Sequence, residues 1–119
     1  MGTVDDSPRG RITIGDDVVA EIVGLTVLEC YGVVGVVAKR MAHGMARLLR
    51  RDGTAAGVEV VRGTDGDVAI AVHVVMENGL NLAEVSDSLR ARVSYEVERQ
   101  CGIRVSAVAV HIHDVRREK

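Results

Sequence analysis

The stretch VAIAVHVVMENGLNLAEVSDSL, residues 68–89, decides the fold because it joins a strand to a helix through a short turn. Over residues 68–76, bulky apolar residues alternate mainly with alanine and histidine, which is the two-residue period of a strand with two different faces. The turn Glu77-Asn78-Gly79 follows, and from residue 82 the apolar residues recur at helical spacing. The stretch therefore predicts a strand–turn–helix unit.

The residues after the turn are explained by helix capping. Asn81 is a preferred N-cap residue, and Glu84, three positions later, completes a capping box. Leu80 and Val85 occupy the two positions of a hydrophobic staple. A phosphate-binding loop needs several glycines and usually a lysine, whereas Gly79 stands alone. We therefore expect this turn to start a helix and to bind no nucleotide.

The rest of the chain alternates strands with helices. The predicted elements, in chain order, are a strand at 11–14, a helix over 15–32, a strand or loop at 33–40, a short helix over 41–53, a hairpin of strands at 58–62 and 68–76, a helix from 82 to 101, and a last strand at 103–115. This β-α-(α)-β-β-α-β order predicts an α/β (α+β) two-layer sandwich, with a mainly antiparallel sheet and helices on one face. Residues 1–10 are predicted to be a flexible N-terminal tail, 11–115 a single domain and 116–119 a charged C-terminal tail.

The composition excludes several classes of protein. The chain has 119 residues, 47% of them hydrophobic, a net charge of -2 and no Phe or Trp. A binder of single-stranded nucleic acid would stack bases on aromatic side chains, so this composition disfavours that function. No apolar run approaches the ~18 residues of a membrane span. Without a CxxC spacing or a signal peptide, Cys30 and Cys101 are expected to be reduced thiols of a cytoplasmic protein.

The face of the predicted sheet away from the helices is the main candidate surface. Strand alternation places His73 on this face, together with His111 and His113 of the last strand. Two histidines at positions i and i+2 of a strand have the geometry of metal ligands, so these three are the candidates for a metal site. Alternation directs Asp114 the other way, and we predict surface histidines and no metal, cofactor or small-molecule substrate. No nucleophile or carboxylate pair has a catalytic arrangement, so no enzyme is predicted.

A basic segment over residues 39–51 is the second candidate surface. It follows Gly32-Val33-Val34-Gly35, a GxxG like the loop with which KH domains clamp a nucleic-acid backbone. A KH-like RNA-binding module that uses Gly32 to Gly35 and the basic segment is therefore the alternative function. Two surfaces and the turn together give the candidate interaction residues, which are Lys39, Arg40, Arg47, Arg50, Arg51, His73, Val75, Glu77, Asn78, Ala109 and His111.

Five stretches in order resemble one bacterial family. They are GRITIGDDVVAEIVG, LECYGVVGV, GMARLLRRDGTAAGVEV, VAIAVHVVMENGLNLAEVSDSLRARV and GIRVSAVAVHIHDV, which together cover residues 10–115. This series resembles the alkaline-shock-protein family, also called the Gls24-like envelope stress response family. One departure is Gly15-Asp16, where members often have Ser-Pro.

The resemblance implies a small, non-enzymatic cytoplasmic protein. Family members are associated with envelope stress, and some self-assemble or are held at the membrane by a partner. We therefore expect an interaction or scaffold protein that acts through self-association or a small integral membrane protein, located in the cytoplasm or peripherally at the membrane. The resemblance carries over no catalytic residues.

Overall fold

Nine elements occupy the residues that the computed structural model describes, which are 3–5, 12–38, 48–49 and 55–117. In chain order they are β1 (Thr3–Asp5), β2 (Ile12–Ile14), α1 (Asp16–Leu28), β3 (Val33–Val37), β4 (Leu48–Leu49), β5 (Val58–Arg62), β6 (Val68–Glu77), α2 (Leu82–Cys101) and β7 (Val105–Arg116).

Strand β6 is the centre of the main sheet. Along one edge it pairs with β7 in parallel over its full length, from Val68 to Glu77. Along the other edge β5 pairs antiparallel with residues 68–72 and β3 pairs antiparallel with residues 74–76, so these two strands follow each other end to end. The short strand β4 extends the sheet beyond β3. Strands β1 and β2 form a separate antiparallel pair.

Helix α2 connects β6 to β7, as a parallel pair requires. It begins at the predicted N-cap, where the side-chain oxygen of Asn81 accepts hydrogen bonds from the backbone N–H groups of Ala83 (3.1 Å) and Glu84 (3.2 Å). It ends at Gly102, whose φ of 70° is the left-handed conformation that a C-terminal glycine adopts without strain. The capping signals in the sequence therefore fix both ends of this helix.

The hydrophobic core lies between the two helices and one face of the sheet. Helix α1 is bound to the sheet edge by Arg62 of β5, whose Nε lies 2.6 Å from a carboxylate oxygen of Asp16. Its buried Thr26 donates its hydroxyl to the Ile22 carbonyl, so this polar group keeps a partner inside the core. The buried side chains come from every layer and are Val19, Val23, Val27, Val36, Val58, Val68, Ile70, Val72, Val74, Met76, Val85, Leu89, Val93, Val97 and Ile103.

Two glycines allow close packing beside this core. Gly32 has a φ of 89°, and a Cβ there would lie 3.0 Å from both Leu80 and Val85, the two staple residues before and within α2. A Cβ at Gly57 would overlap the Val37 carbonyl oxygen and the Val36 side chain. Both glycines therefore let the backbone approach neighbours that no larger residue would tolerate.

The predicted two-layer sandwich is confirmed, and the strand over 33–37 resolves the alternative of strand or loop. The helix predicted over 41–53 is wrong at Leu48–Leu49, which pair with Val36 and Val37 as β4. Pairing with a sheet edge outweighs helix propensity there; the other residues of that segment lie outside the described part of the chain.

The predicted tails also need correction. Thr3–Asp5 pairs with Ile12–Ile14, so these three residues of the predicted N-terminal tail belong to a strand. Arg116, placed in the C-terminal tail, ends β7 opposite Glu77. In both places inter-strand hydrogen bonds extend the ordered backbone into polar sequence, which the hydrophobic pattern does not reveal.

Candidate interaction surface

The sheet face opposite the helices carries small and polar residues on its central strands. Cα partners across β6 and β7 on this face are Ala69 with Ala107, Ala71 with Ala109 and His73 with His111. On the other side of β6, Glu59 of β5 is the partner of Ala71. These residues are exposed or partly exposed, so the structure places the predicted face where strand alternation put it. We call Glu59, Ala71, His73, Ala109 and His111 the open-face residues.

Three histidines meet at one end of this face. The ring of His73 stacks on the ring of His111, with centroids 4.8 Å apart and an angle of 13° between their planes. Its Nδ1 lies 2.8 Å from Nε2 of His113, which is hydrogen-bond distance. Because two neutral imidazoles offer one donor and one acceptor each, one of these nitrogens donates to the other. We call His73, His111 and His113 the histidine cluster.

His113 lies at a β-bulge of β7. Val74 is in register with Ile112, but Val75 is in register with Asp114, so His113 is the extra residue. Strict alternation, used in the sequence prediction, directs Asp114 away from the histidines, and the bulge instead aligns it with Val75 of β6. Among these residues Asp114 keeps its own partner, since its carboxylate accepts a hydrogen bond from Nε of Arg116 at 3.0 Å.

His73 is the member of the cluster that burial affects. Its side chain is 12% exposed, its Nε2 is buried without a hydrogen-bond partner, and the nearest carboxylate oxygen, on Glu59, is 3.7 Å away. Burial is the main cause that holds the pKa of His73 below its ordinary value, and the neighbouring His111 acts in the same direction. Glu59 opposes both effects but does not cancel them. His73 is therefore neutral near neutral pH.

The cluster is arranged as a hydrogen-bonded stack and not as a metal centre. The two closest nitrogens face each other at 2.8 Å, and the stacked rings present their faces instead of their nitrogens. Across the described ranges, no group of three or more His, Cys, Asp or Glu side chains could hold a metal ion. The three metal-ligand candidates thus lie together, with Nδ1 of His73 facing Nε2 of His113 and the His111 ring stacked on the ring of His73.

The remaining candidate residues are distributed differently. The prediction that Val75 is a surface residue of the open face is wrong. Its side chain is fully buried, and its Cα partners on the two neighbouring strands are Gly35 and Asp114. Glu77 and Asn78 form backbone hydrogen bonds. The Glu77 N–H donates to the carbonyl oxygen of Gly32, and the Asn78 N–H donates to the carbonyl oxygen of Arg116. The Asn78 side chain is exposed.

The GxxG of the KH-like hypothesis does not form the expected loop in this structure. Gly32 lies in a turn, and Gly35 is a buried residue of β3, so the GxxG is not an exposed connection between two helices. Its second component, the basic residues Lys39, Arg40, Arg47, Arg50 and Arg51, lies outside the described residues.

A groove between the two helices and the two cysteine thiols contain reactive groups whose arrangement the fold explains. A groove of about 400 Å³ runs between α1 and α2, and its charged groups are paired with one another, as in Arg99 with Glu96 at 2.8 Å. Burial raises the pKa of the Cys30 and Cys101 thiols, which keeps them protonated and poorly nucleophilic.

Neither of the described helices is long and apolar enough to cross a membrane.

Sequence reasoning missed Glu59 and the contact between His73 and His113. The alternation of Val58, Glu59 and Val60 in a hairpin next to 68–76 was a signal that could have placed Glu59 on the open face. No signal in the sequence marks the bulge, because it depends on how two distant strands pair.

Comparison with known proteins gives a consistent result over the length of the chain. A protein of Streptococcus pyogenes with the name Uncharacterized protein Spy1614 is 35% identical over 108 residues, which are 90% of this chain and 88% of that protein. Uncharacterized protein YloU of Bacillus subtilis is 29% identical over 108 residues, 90% of this chain and 89% of that one. A stress response regulator gls24 homolog of Streptococcus pyogenes is 29% identical over 111 residues, 93% of this chain but 62% of the relative.

No solved structure matches the chain. The model of the alkaline shock protein 23 family, described as having a cell envelope-related function, matches residues 4–117, which include every element of the main sheet and both helices. The predicted family resemblance is confirmed: this chain belongs to the alkaline shock protein 23 family, with its cell envelope-related function.

Proposed function

We propose that this protein is a non-enzymatic interaction protein of the envelope stress response, acting through self-association or a small integral membrane protein that holds it at the inner side of the membrane. The observation that carries the proposal is the open sheet face, where small residues and the histidine cluster are left uncovered by the helices. A flat face of this kind can bury area against a second protein without moving its backbone.

The chemistry of the described residues supports binding over catalysis. Two of the histidines hydrogen-bond each other, the thiols have raised pKa values, and the charged groups in the groove between the helices form ion pairs. A relative is named a stress response regulator gls24 homolog, which supports a regulatory or structural role in stress. In this role the protein would make its contacts through the open face.

Site-specific photocrosslinking in the native cell tests the proposal. A photoreactive amino acid replaces His111 on the open face, and a matched variant carries it at Tyr95, which is 60% exposed on α2. We expect position 111 to crosslink to a second copy of the chain or to an integral membrane protein, identified by mass spectrometry, and position 95 to give neither. Crosslinks from position 95 alone, or from neither position in cells that contain the folded protein, would contradict the proposal.

The RNA-binding alternative predicts a different result. Its affinity would come from phosphate contacts of the basic segment and would fall steeply between about 50 mM and about 200 mM salt. Neutral replacements of Lys39, Arg40 and Arg47 would then weaken binding to a random RNA pool. Binding that is absent at about 50 mM salt removes this alternative.

A further inference from the structure

We propose that β7 is a self-pairing edge: two copies of this chain join their β7 strands antiparallel, about a two-fold axis at Ala109, into one continuous sheet. The inference rests on the proposed function, because it specifies the surface used for self-association. It concerns the free edge of the sheet rather than the open face itself.

The first observation is the length of the unpaired edge. Strand β7 has twelve residues, and within the described part of the chain it pairs only with β6. Its other edge therefore presents backbone donors and acceptors along about 40 Å. Natural sheets usually protect such an edge with proline, lysine, β-bulges or a covering element. Strand β7 contains neither proline nor lysine, and its bulges leave a regular stretch from Ala107 to Ile112.

The second observation is that the core is incompletely covered at this edge. Ile112 is in register with Val74 and Val115 with Met76, so both belong to the helix-facing side. Their partners on β6 are fully buried, whereas Ile112 remains 37% and Val115 36% exposed. Val108 and Val110, also on this side, are only partly buried. A further strand at this edge would remove these apolar side chains from water, which is favourable.

The third observation selects a second copy as the occupant and fixes the register. Directly opposed residues in an antiparallel pair share a face, so a two-fold axis must pass through a residue of the regular stretch. At Ala109 the axis opposes Val108 to Val110 on the helix side and Ala107 to His111 on the open face. It also brings Arg104 opposite Asp114 of the second copy, because both lie five positions from Ala109.

The two neighbouring registers lack this complementarity, since an axis at Val108 opposes Arg104 to the apolar Ile112. An axis at Val110 opposes Arg104 to Arg116, and like charges directly across a pair are destabilising. In the Ala109 register each half of the interface contains one bulge residue from each copy, Ser106 and His113, so the extra residues offset each other. Each copy thus supplies both charges of an ion pair, Arg104 just before β7 and Asp114 within it, five positions on either side of Ala109, as an isologous interface requires.

Sedimentation equilibrium of the full chain, from about 10 μM to about 1 mM, measures the dimer dissociation constant in the range where small interfaces associate. Ala109→Lys places two lysines opposite each other at the axis and is expected to raise that constant at least about tenfold. The matched control is Val61→Lys, an exposed residue of β5 at the far edge of the sheet, which should leave the constant unchanged. Circular dichroism and the melting temperature of each variant verify its fold.

A charge exchange tests the register. Arg104→Glu opposes Glu to Asp114, and Asp114→Arg opposes two arginines, so each single variant should weaken the dimer about three- to tenfold. The double variant restores opposite charges in both symmetry-related pairs and should return the constant to near that of the unchanged chain.

The possible outcomes separate this inference from the proposed function. A dimer that is lost in Ala109→Lys, kept in Val61→Lys and restored by the double variant supports the β7 pairing. A dimer that Ala109→Lys leaves intact, or a monomer at every concentration, overturns it. In the last case a membrane-protein crosslink from position 111 still upholds the proposed function.

Discussion

Acidification should destabilise the folded protein through His73. Its pKa is lowered in the folded state, mainly by burial, so the unfolded chain binds the proton more strongly. Stability is therefore fully present above the unfolded pKa of about 6.5 and decreases as the pH falls below that value, until the folded pKa is reached. The side chain is only 12% exposed, so solvent screens the effect little.

The binding of one proton to His73 sets the size of this pH effect on the unfolding free energy. A full difference of one bound proton changes the unfolding free energy by about 1.4 kcal/mol per pH unit. Between pH 7 and pH 5, this sets an upper limit of about 2 kcal/mol for His73. The pKa values of Glu96 and Asp114 are lowered in the folded state, so these carboxylates stabilise the fold at any pH above the ordinary carboxyl pKa. Their contribution to stability is lost only at a more acidic pH than that of His73.

Urea unfolding followed by far-ultraviolet circular dichroism suits this chain, which has no tryptophan for fluorescence. The unfolding free energy is measured at half-unit steps from pH 8 to pH 5, at one protein concentration. We expect a shallower pH dependence in His73→Leu than in the unchanged chain. His111→Gln should give an intermediate slope, because the His111 ring is the second cause of the shift. Equal slopes in His73→Leu and the unchanged chain would refute the reasoning.

Three further predictions concern the packing that supports the open face, each measured as the change in unfolding free energy at neutral pH. Gly57→Ala should cost about 3 kcal/mol because its Cβ overlaps the Val37 carbonyl, whereas Gly66→Ala, with open space but a φ of 84°, should cost about 1 kcal/mol. Asn81→Ala should cost about 1 kcal/mol and Asn81→Asp nearly nothing, because the aspartate keeps the cap; equal losses would show that the cap is not the cause. Leu89→Ala, at a fully buried position, should cost about 2–5 kcal/mol, and a smaller loss would mean that the core collapses around it.

The sequence by itself determined the local elements whose signals lie within a few residues. The Asn81 cap, the apolar stripe of α2 and the Gly102 terminus are all local, and the structure has each where the pattern put it. Alternation over residues 68–74 likewise separated the buried residues from the open-face residues, since a strand has only two faces, and it fails at Val75. The two-layer architecture follows because both helices have one apolar side to bury.

Only the tertiary structure decided the features that depend on how distant strands pair. The bulge at His113 changes which residue of β7 faces Val75, and the pairing of β6 with β7 brings three histidines into contact. Pairing with β3 turns Leu48–Leu49 into a strand despite a helical pattern, and Val75 is fully buried although alternation places it on the open face. Strand register is set by the whole sheet, and one extra residue changes the neighbours of a side chain without changing any local propensity.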